Sequence, residues 1–204
     1  MSNFLLKDPD CVFIHIPKTG GTSIRKGAWS RRVQGPRFGH IPPEWDGLFR
    51  FAFTREPLDR FLSVWRMFTI GPEGDPDWSL PPDARPLSLD EFFDIVRDDS
   101  IIFDERRRTF EEKIRHHAIP QTHPFNCLRQ ADFIGRFETI AEDYRLIAER
   151  VGQTARLPRL HVTARGPADA EATLSPKLAA AVRDYYSDDY RFLETEVEHY
   201  RALA

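Results

Sequence analysis

Short apolar runs alternate along this chain with longer stretches in which apolar residues return at helical spacing. Residues 11–16 and 49–54 predict short buried strands, the second rich in aromatics. Residues 22–32 predict a helix after the first strand and its loop. After the second strand, Leu58, Phe61, Leu62, Trp65 and Phe68 recur at helical spacing, with Pro57 where a helix opens. Residues 132–137 predict a third strand and residues 157–163 a fourth. Ser88 with Glu91 forms a capping-box pattern ahead of Phe92, Phe93 and Ile95. Thr139 with Glu142 repeats it ahead of Tyr144, Ile147 and Val151, and Gly152 stops that helix. Ser175 and Pro176 open a further helix, and helix runs on toward the C-terminus. Residues 71–86 and 164–172 predict loops.

Strands alternating with helices predict an α/β fold with a central, mainly parallel sheet flanked by helices. Ligands of such sheets bind beyond the carboxyl ends of the strands. At 204 residues, with neither repeat nor linker, the chain predicts a single domain over residues 1–204. A net charge of −3 argues against a general nucleic-acid binder. Cys11 and Cys127 make neither a disulfide framework nor a zinc pattern. No apolar run suits a bilayer span and no signal peptide is visible, so a cytoplasmic protein without stable membrane insertion is expected.

The chemistry concentrates where the predicted strands end. The first strand leads into Pro17-Lys18-Thr19-Gly20-Gly21-Thr22-Ser23, a strand–loop–helix junction able to wrap backbone N–H groups around an anion. The order differs from the nucleoside-triphosphate loop, in which lysine follows the glycines and a hydroxyl reaches magnesium. The second strand leads into Thr54-Arg55-Glu56-Pro57-Leu58-Asp59-Arg60-Phe61-Leu62-Ser63-Val64-Trp65. Arg55 at the strand end and Ser63 on the following helix supply a guanidinium fork and a hydroxyl, both suited to phosphate. The competing reading is that Arg55 and Arg60 merely pair with Glu56 and Asp59.

Together the two clusters resemble the sulfotransferases that use 3′-phosphoadenosine 5′-phosphosulfate (PAPS), in particular the carbohydrate type that includes heparan sulfate 2-O-sulfotransferase. The resemblance is dense over residues 12–24 and 51–66. It is weaker through residues 132–138 and Asp143, and weakest at Asp188-Asp189-Tyr190. It implies a P-loop-like three-layer fold. It further implies that Lys18, Thr19, Gly20, Gly21, Thr22 and Ser23 cradle the 5′-phosphosulfate, that Lys18 neutralises the leaving phosphate, and that Arg55 and Ser63 hold the 3′-phosphate.

The resemblance also suggests His40 as the general base; its pattern has two histidines there, of which Phe38 replaces the first. His117 and Gln121, within His117-x-x-Pro120-Gln121, resemble a chondroitin-type segment near substrate. Thr163 and Arg165 resemble a segment closing over the 3′-phosphate, although His161 stands where asparagine is usual. No metal is expected. The implied acceptor is a hydroxyl on a glycan or glycolipid, the co-product is 3′-phosphoadenosine 5′-phosphate (PAP), and the chain looks like a bacterial soluble enzyme. The alternatives are a phosphotransferase using ATP and magnesium, and a non-catalytic PAP- or PAPS-binding protein.

Overall fold

Strands β1 (Phe4–Leu6), β2 (Cys11–Ile14), β3 (Arg32–Gln34), β4 (Arg50–Thr54) and β5 (Phe133–Arg136) form one sheet in the order β3-β1-β2-β4-β5. The computed structural model describes residues 3–27, 31–36, 39–69, 85–101, 109–154, 157 and 174–202. Its helices among those residues are α1 (Gly21–Gly27), α2 (Pro57–Thr69), α3 (Leu89–Arg97), α4 (Phe110–Ala118), α5 (Ile140–Arg150), α6 (Pro176–Tyr185), α7 (Ser187–Thr195) and α8 (Val197–Ala202). β2 pairs in parallel with β4, and β4 with β5. β1 runs antiparallel to both β2 and β3, so β3 points along β2 and four of the five strands share one direction. No helix among the described residues is long and apolar enough to cross a membrane.

The chain divides into two compact units. The first comprises Met1–Glu56, Pro120–His161 and Asp188–Ala204, and the second Pro57–Ile119 and Val162–Ser187. The whole sheet belongs to the first. Alternation along its strands sends Val12, Ile14, Ala52 and Ile134 to one face, where Phe192, Leu193 and Val197 of α7 and α8 cover them. Phe13, Phe51, Phe53 and Phe133 go to the other, under Ile24 of α1 and Tyr144 and Ile147 of α5. With both faces covered, the strands read as near-continuous apolar runs. The remaining exit from this unit's sheet is at the strand ends, where the chemistry of the sequence lies.

The second unit is helical among its described residues. Phe61 packs on Phe92 at 5.4 Å between ring centroids and on Phe93 at 6.0 Å. Arg60, 1% exposed, donates to the carbonyls of His117 (2.8 Å) and Ile119 (2.9 Å), and the Tyr186 hydroxyl donates to Ala118 O at 2.5 Å. These bonds satisfy carbonyls that the end of α4 leaves without helical donors. Burying a guanidinium is expensive without such partners, so Arg60 serves as a helix-end cap.

Several expectations change. The helix predicted over residues 22–32 ends at Gly27, and Arg32 begins an edge strand. Ser88 and Glu91 close their capping box, and Ser175 caps α6. Thr139 does not cap through its side chain, because its hydroxyl donates to Asp143 Oδ2 at 2.8 Å instead. Asp143 is fully buried and also accepts from Arg136 N (2.7 Å) and Arg201 Nη2 (2.8 Å), so the deeper carboxylate outcompetes the cap. His116 and His117 lie on α4 behind a Thr109–Glu112 capping box. The predicted strand over residues 157–163 lies outside the described residues except for position 157, and both predicted loops lie wholly or largely outside them.

Candidate anion-binding site

The loop after β2 holds its shape through its own atoms. Lys18 adopts φ 68° and Gly20 φ 91°, both left-handed. For a lysine that backbone costs on the order of 1–3 kcal/mol, which the burial of Ile16 and Ile24 on either side, about 1.5–3 kcal/mol each, readily offsets. Thr19 is fully buried and its hydroxyl donates to Ile16 O at 2.9 Å, closing the turn. A Cβ on Gly21 would lie 2.1 Å from His15 Nε2, and one on Gly20 2.4 Å from Ile140 Cδ1. Both glycines are therefore required by close approach, and Gly20 by its φ as well.

The charge of this loop is held at a cost. The Lys18 ammonium is pushed down from 10.5 to about 8, first by burial and then by the Arg55 guanidinium. Both influences disfavour a cation, and the attraction of an arriving anion would offset them.

Arg55 follows β4, the parallel neighbour of β2. Its Nη1 donates to Lys18 O at 3.4 Å, and its guanidinium carbon sits 4.4 Å from the centroid of the Phe137 ring. Its backbone is gripped from the side. Arg55 N donates to Gln121 Oε1 at 2.9 Å, and Gln121 Nε2 donates to Arg55 O at 2.8 Å. The next residue is held too: Glu56 N donates to Glu138 Oε1 (2.9 Å), and the Tyr190 hydroxyl donates to Glu56 Oε1 (2.6 Å).

His40 is half-buried, and Asn3 fixes its backbone. Asn3 Nδ2 donates to His40 O at 3.1 Å, while Asn3 Oδ1 accepts from His15 N at 3.1 Å. One amide thus ties the His40 segment to the residue that opens the Lys18 loop. Gly39, at φ 70°, permits a close pass against Phe125, whose ring would lie 2.8 Å from a Cβ there.

A conserved-domain comparison bears on what this arrangement serves. The model described as the Sulfotransferase family matches residues 42–194, well over half of the chain. The chain belongs to the Sulfotransferase family. No curated protein and no solved structure matches it. The matched span contains Arg55, Ser63, Gln121 and Asp189 and includes parts of both units; the Lys18 loop and His40 precede it.

The fold brings Lys18 and Arg55 together directly, and His40 to the base of the same loop through Asn3. Thr22 and Ser23 are half-buried in the first turn of α1. Thr19 braces the loop, so its side chain is committed to the Ile16 carbonyl. Ser63 is buried on α2, in the second unit. Thr163 and Arg165 lie outside the described residues.

Two expectations need correction. His117 has no exposed surface: its Nδ1 bonds with Lys113 O at 2.8 Å and its ring meets Phe68 edge-on at 5.5 Å, which makes it a core residue and not a substrate contact. Gln121 is 1% exposed with both ends of its amide on Arg55, so it acts on the arginine and does not face a substrate. Sequence reasoning missed Asn3, Phe137, Glu138 and the part played by Asp189 and Tyr190. For the last two the weak resemblance at Asp188-Asp189-Tyr190 was the available signal.

Proposed function

We propose that the protein transfers the sulfuryl group of PAPS to a hydroxyl, by a metal-free in-line displacement. One observation carries the reading: a buried lysine and an arginine meet at the carboxyl ends of two neighbouring parallel strands, where burial and the nearby guanidinium disfavour the lysine's charge and an anion would favour it. This supports a ligand with anionic groups at two ends, as the 5′- and 3′-phosphates of PAPS are. A P-loop-like fold, one functional domain drawn from residues 1–204 and a cytoplasmic setting belong to the same proposal.

In this reading the Lys18–Ser23 loop holds the 5′-phosphosulfate and Arg55 the 3′-phosphate. Ser63, Thr163 and Arg165 keep the roles that their motifs imply. His40 accepts the proton of the acceptor hydroxyl as its oxygen bonds to sulfur. The bond between sulfur and the 5′-phosphate oxygen breaks, and Lys18 stabilises the charge left on that oxygen as PAP departs. Such chemistry needs positioning and electrostatic stabilisation more than covalent help. The acceptor we propose is a saccharide hydroxyl, free or on a glycolipid.

Calorimetric titration tests the reading. PAP should bind much more tightly than ADP or AMP, with no change on adding magnesium. Affinity for ATP equal to that for PAP and strengthened by magnesium would overturn it in favour of phosphoryl transfer. Tight PAP binding with no PAP release from PAPS, across a panel of saccharide and simple alcohol acceptors, would leave a binding protein.

A further inference from the structure

We propose that Asp189 and Gln121 are positioning residues for Arg55: the Asp189 carboxylate orients the Gln121 amide, and that amide fixes the arginine's backbone. The inference rests on the reading of Arg55 as the 3′-phosphate contact. Asp189 is 1% exposed in the first turn of α7. Its carboxylate accepts from Gln121 N (2.7 Å), Thr122 N (2.9 Å), Thr122 Oγ1 (2.8 Å) and Gln121 Nε2 (3.4 Å).

A carboxylate only accepts, whereas an amide has one donating and one accepting end. Facing Asp189, Gln121 must therefore present Nε2, which leaves Oε1 for the Arg55 N–H. The opposite rotamer would set NH2 against N–H at Arg55 and oxygen against both the Arg55 carbonyl and Asp189. The arrangement is thus a polarised relay with one orientation. Its output falls on the residue that most needs it, since the β4–β5 ladder ends at Thr54 and Arg136. Arg55 lies just past that ladder, and Gln121 takes both its N–H and its carbonyl. Buried backbone groups rarely go unpaired, and a long side chain magnifies any rotation at its Cα. Tyr190, next to Asp189, donates its hydroxyl directly to the Glu56 side chain. Consecutive residues of α7 thus reach consecutive residues of the turn, Asp189 through Gln121 and Tyr190 by its own hydroxyl.

The relay acts on one end of the ligand, which separates it from a general contribution to stability. Wild type, Asp189→Asn, Gln121→Met and Thr122→Ala would be titrated with PAP and with AMP, alongside thermal unfolding and hydrogen exchange of the peptide carrying the Arg55 amide. Asp189→Asn and Gln121→Met should each reduce the preference for PAP over AMP by about ten- to a hundred-fold, leave AMP affinity nearly unchanged and speed exchange at Arg55. Thr122→Ala removes one bond to Asp189 without touching the amide, so it should lower the melting temperature and keep the preference. Gln121→Met leaves the backbone contacts of Asp189 in place, and so decides the matter if Asp189→Asn does not fold. Variants that are folded and retain the preference, or lose PAP and AMP affinity equally, overturn the relay. A wild-type protein without any preference for PAP overturns instead the reading of Arg55.

Discussion

The Lys18 loop and the Arg55 turn leave adjacent parallel strands, carry one cation each and meet where Arg55 Nη1 donates to Lys18 O at 3.4 Å, yet they are built differently. The loop is shaped locally, by left-handed backbone at Lys18 and Gly20, by two glycines that admit His15 and Ile140, and by a threonine bonded three residues back. The turn is held from farther along the chain. It is shaped by Gln121, 66 positions away, and by Asp189, a further 68. A cation whose position comes from its own backbone tolerates little change nearby, whereas one whose position is imposed from outside can be retuned without altering the residue itself. In the proposed enzyme the first suits the reacting end of the ligand, where geometry sets the rate. The second suits the recognition end, where geometry sets selectivity.

The largest expected effect comes from a residue that belongs to neither anchor. His40→Ala should lower turnover by about 10²–10⁴-fold while PAP affinity stays unchanged, measured as PAP release against calorimetric Kd. Near-normal turnover would remove His40 from proton transfer and leave the rate to the loop alone. Next, Arg55→Ala should weaken PAP by about 2–5 kcal/mol and scarcely affect adenosine 5′-phosphosulfate, which lacks the 3′-phosphate. Equal losses for both ligands would mean that loop and turn serve one site without a division of labour. A smaller effect is expected from Gly21→Ala, since its new methyl would lie 2.1 Å from His15 Nε2. Overpacking of that kind costs about 1–3 kcal/mol, readable by denaturant unfolding. A loss below about 0.5 kcal/mol, in the range of an ordinary surface substitution, would show that the loop yields and is less self-determined than its backbone suggests.

The same difference decides what was legible in the sequence. The loop could be read because its residues are consecutive and its constraint, glycine at close approach, is itself a residue type. β2, β4 and β5 were legible because both sheet faces are covered, so their runs are apolar throughout. β1 was missed: Phe4-Leu5-Leu6 is three residues long, too short for a period to show. Gln121 and Asp189 stood in the sequence as weak resemblances, but their action on Arg55 was not legible, because a glutamine and an aspartate look like any solvated pair until the fold brings them together. His117 misled for a related reason. The His117-x-x-Pro120-Gln121 pattern resembles a segment near substrate, but the helix that Thr109 and Glu112 cap turns His117 inward. Thr139 failed as a capping-box residue because a local pattern cannot anticipate that a buried carboxylate four residues on, held by Arg201, will take its hydroxyl.

The finest test of the comparison is titration, because only one of the two cations changes charge in an accessible range. The Lys18 ammonium is depressed from 10.5 to about 8, while the guanidinium of Arg55 remains protonated throughout. In the free protein the charged form of Lys18 is the disfavoured one. Its cost is present below pH 8 and is relieved as pH rises from about 8 toward 10.5, where the unfolded chain still holds the proton; that contribution to stability therefore increases with pH across the window. Ligand binding has the opposite sign, because a bound 5′-phosphate favours the ammonium. PAP affinity should be level just below pH 8 and then fall, approaching tenfold per pH unit as binding comes to require uptake of one proton. The preference for PAP over AMP should stay constant through the same range, since both ligands meet Lys18 and only PAP needs Arg55. Lys18→Met should abolish the fall. A preference that instead declines with the overall affinity would show that the two ends are coupled, with Lys18 helping to hold Arg55 in place through its carbonyl.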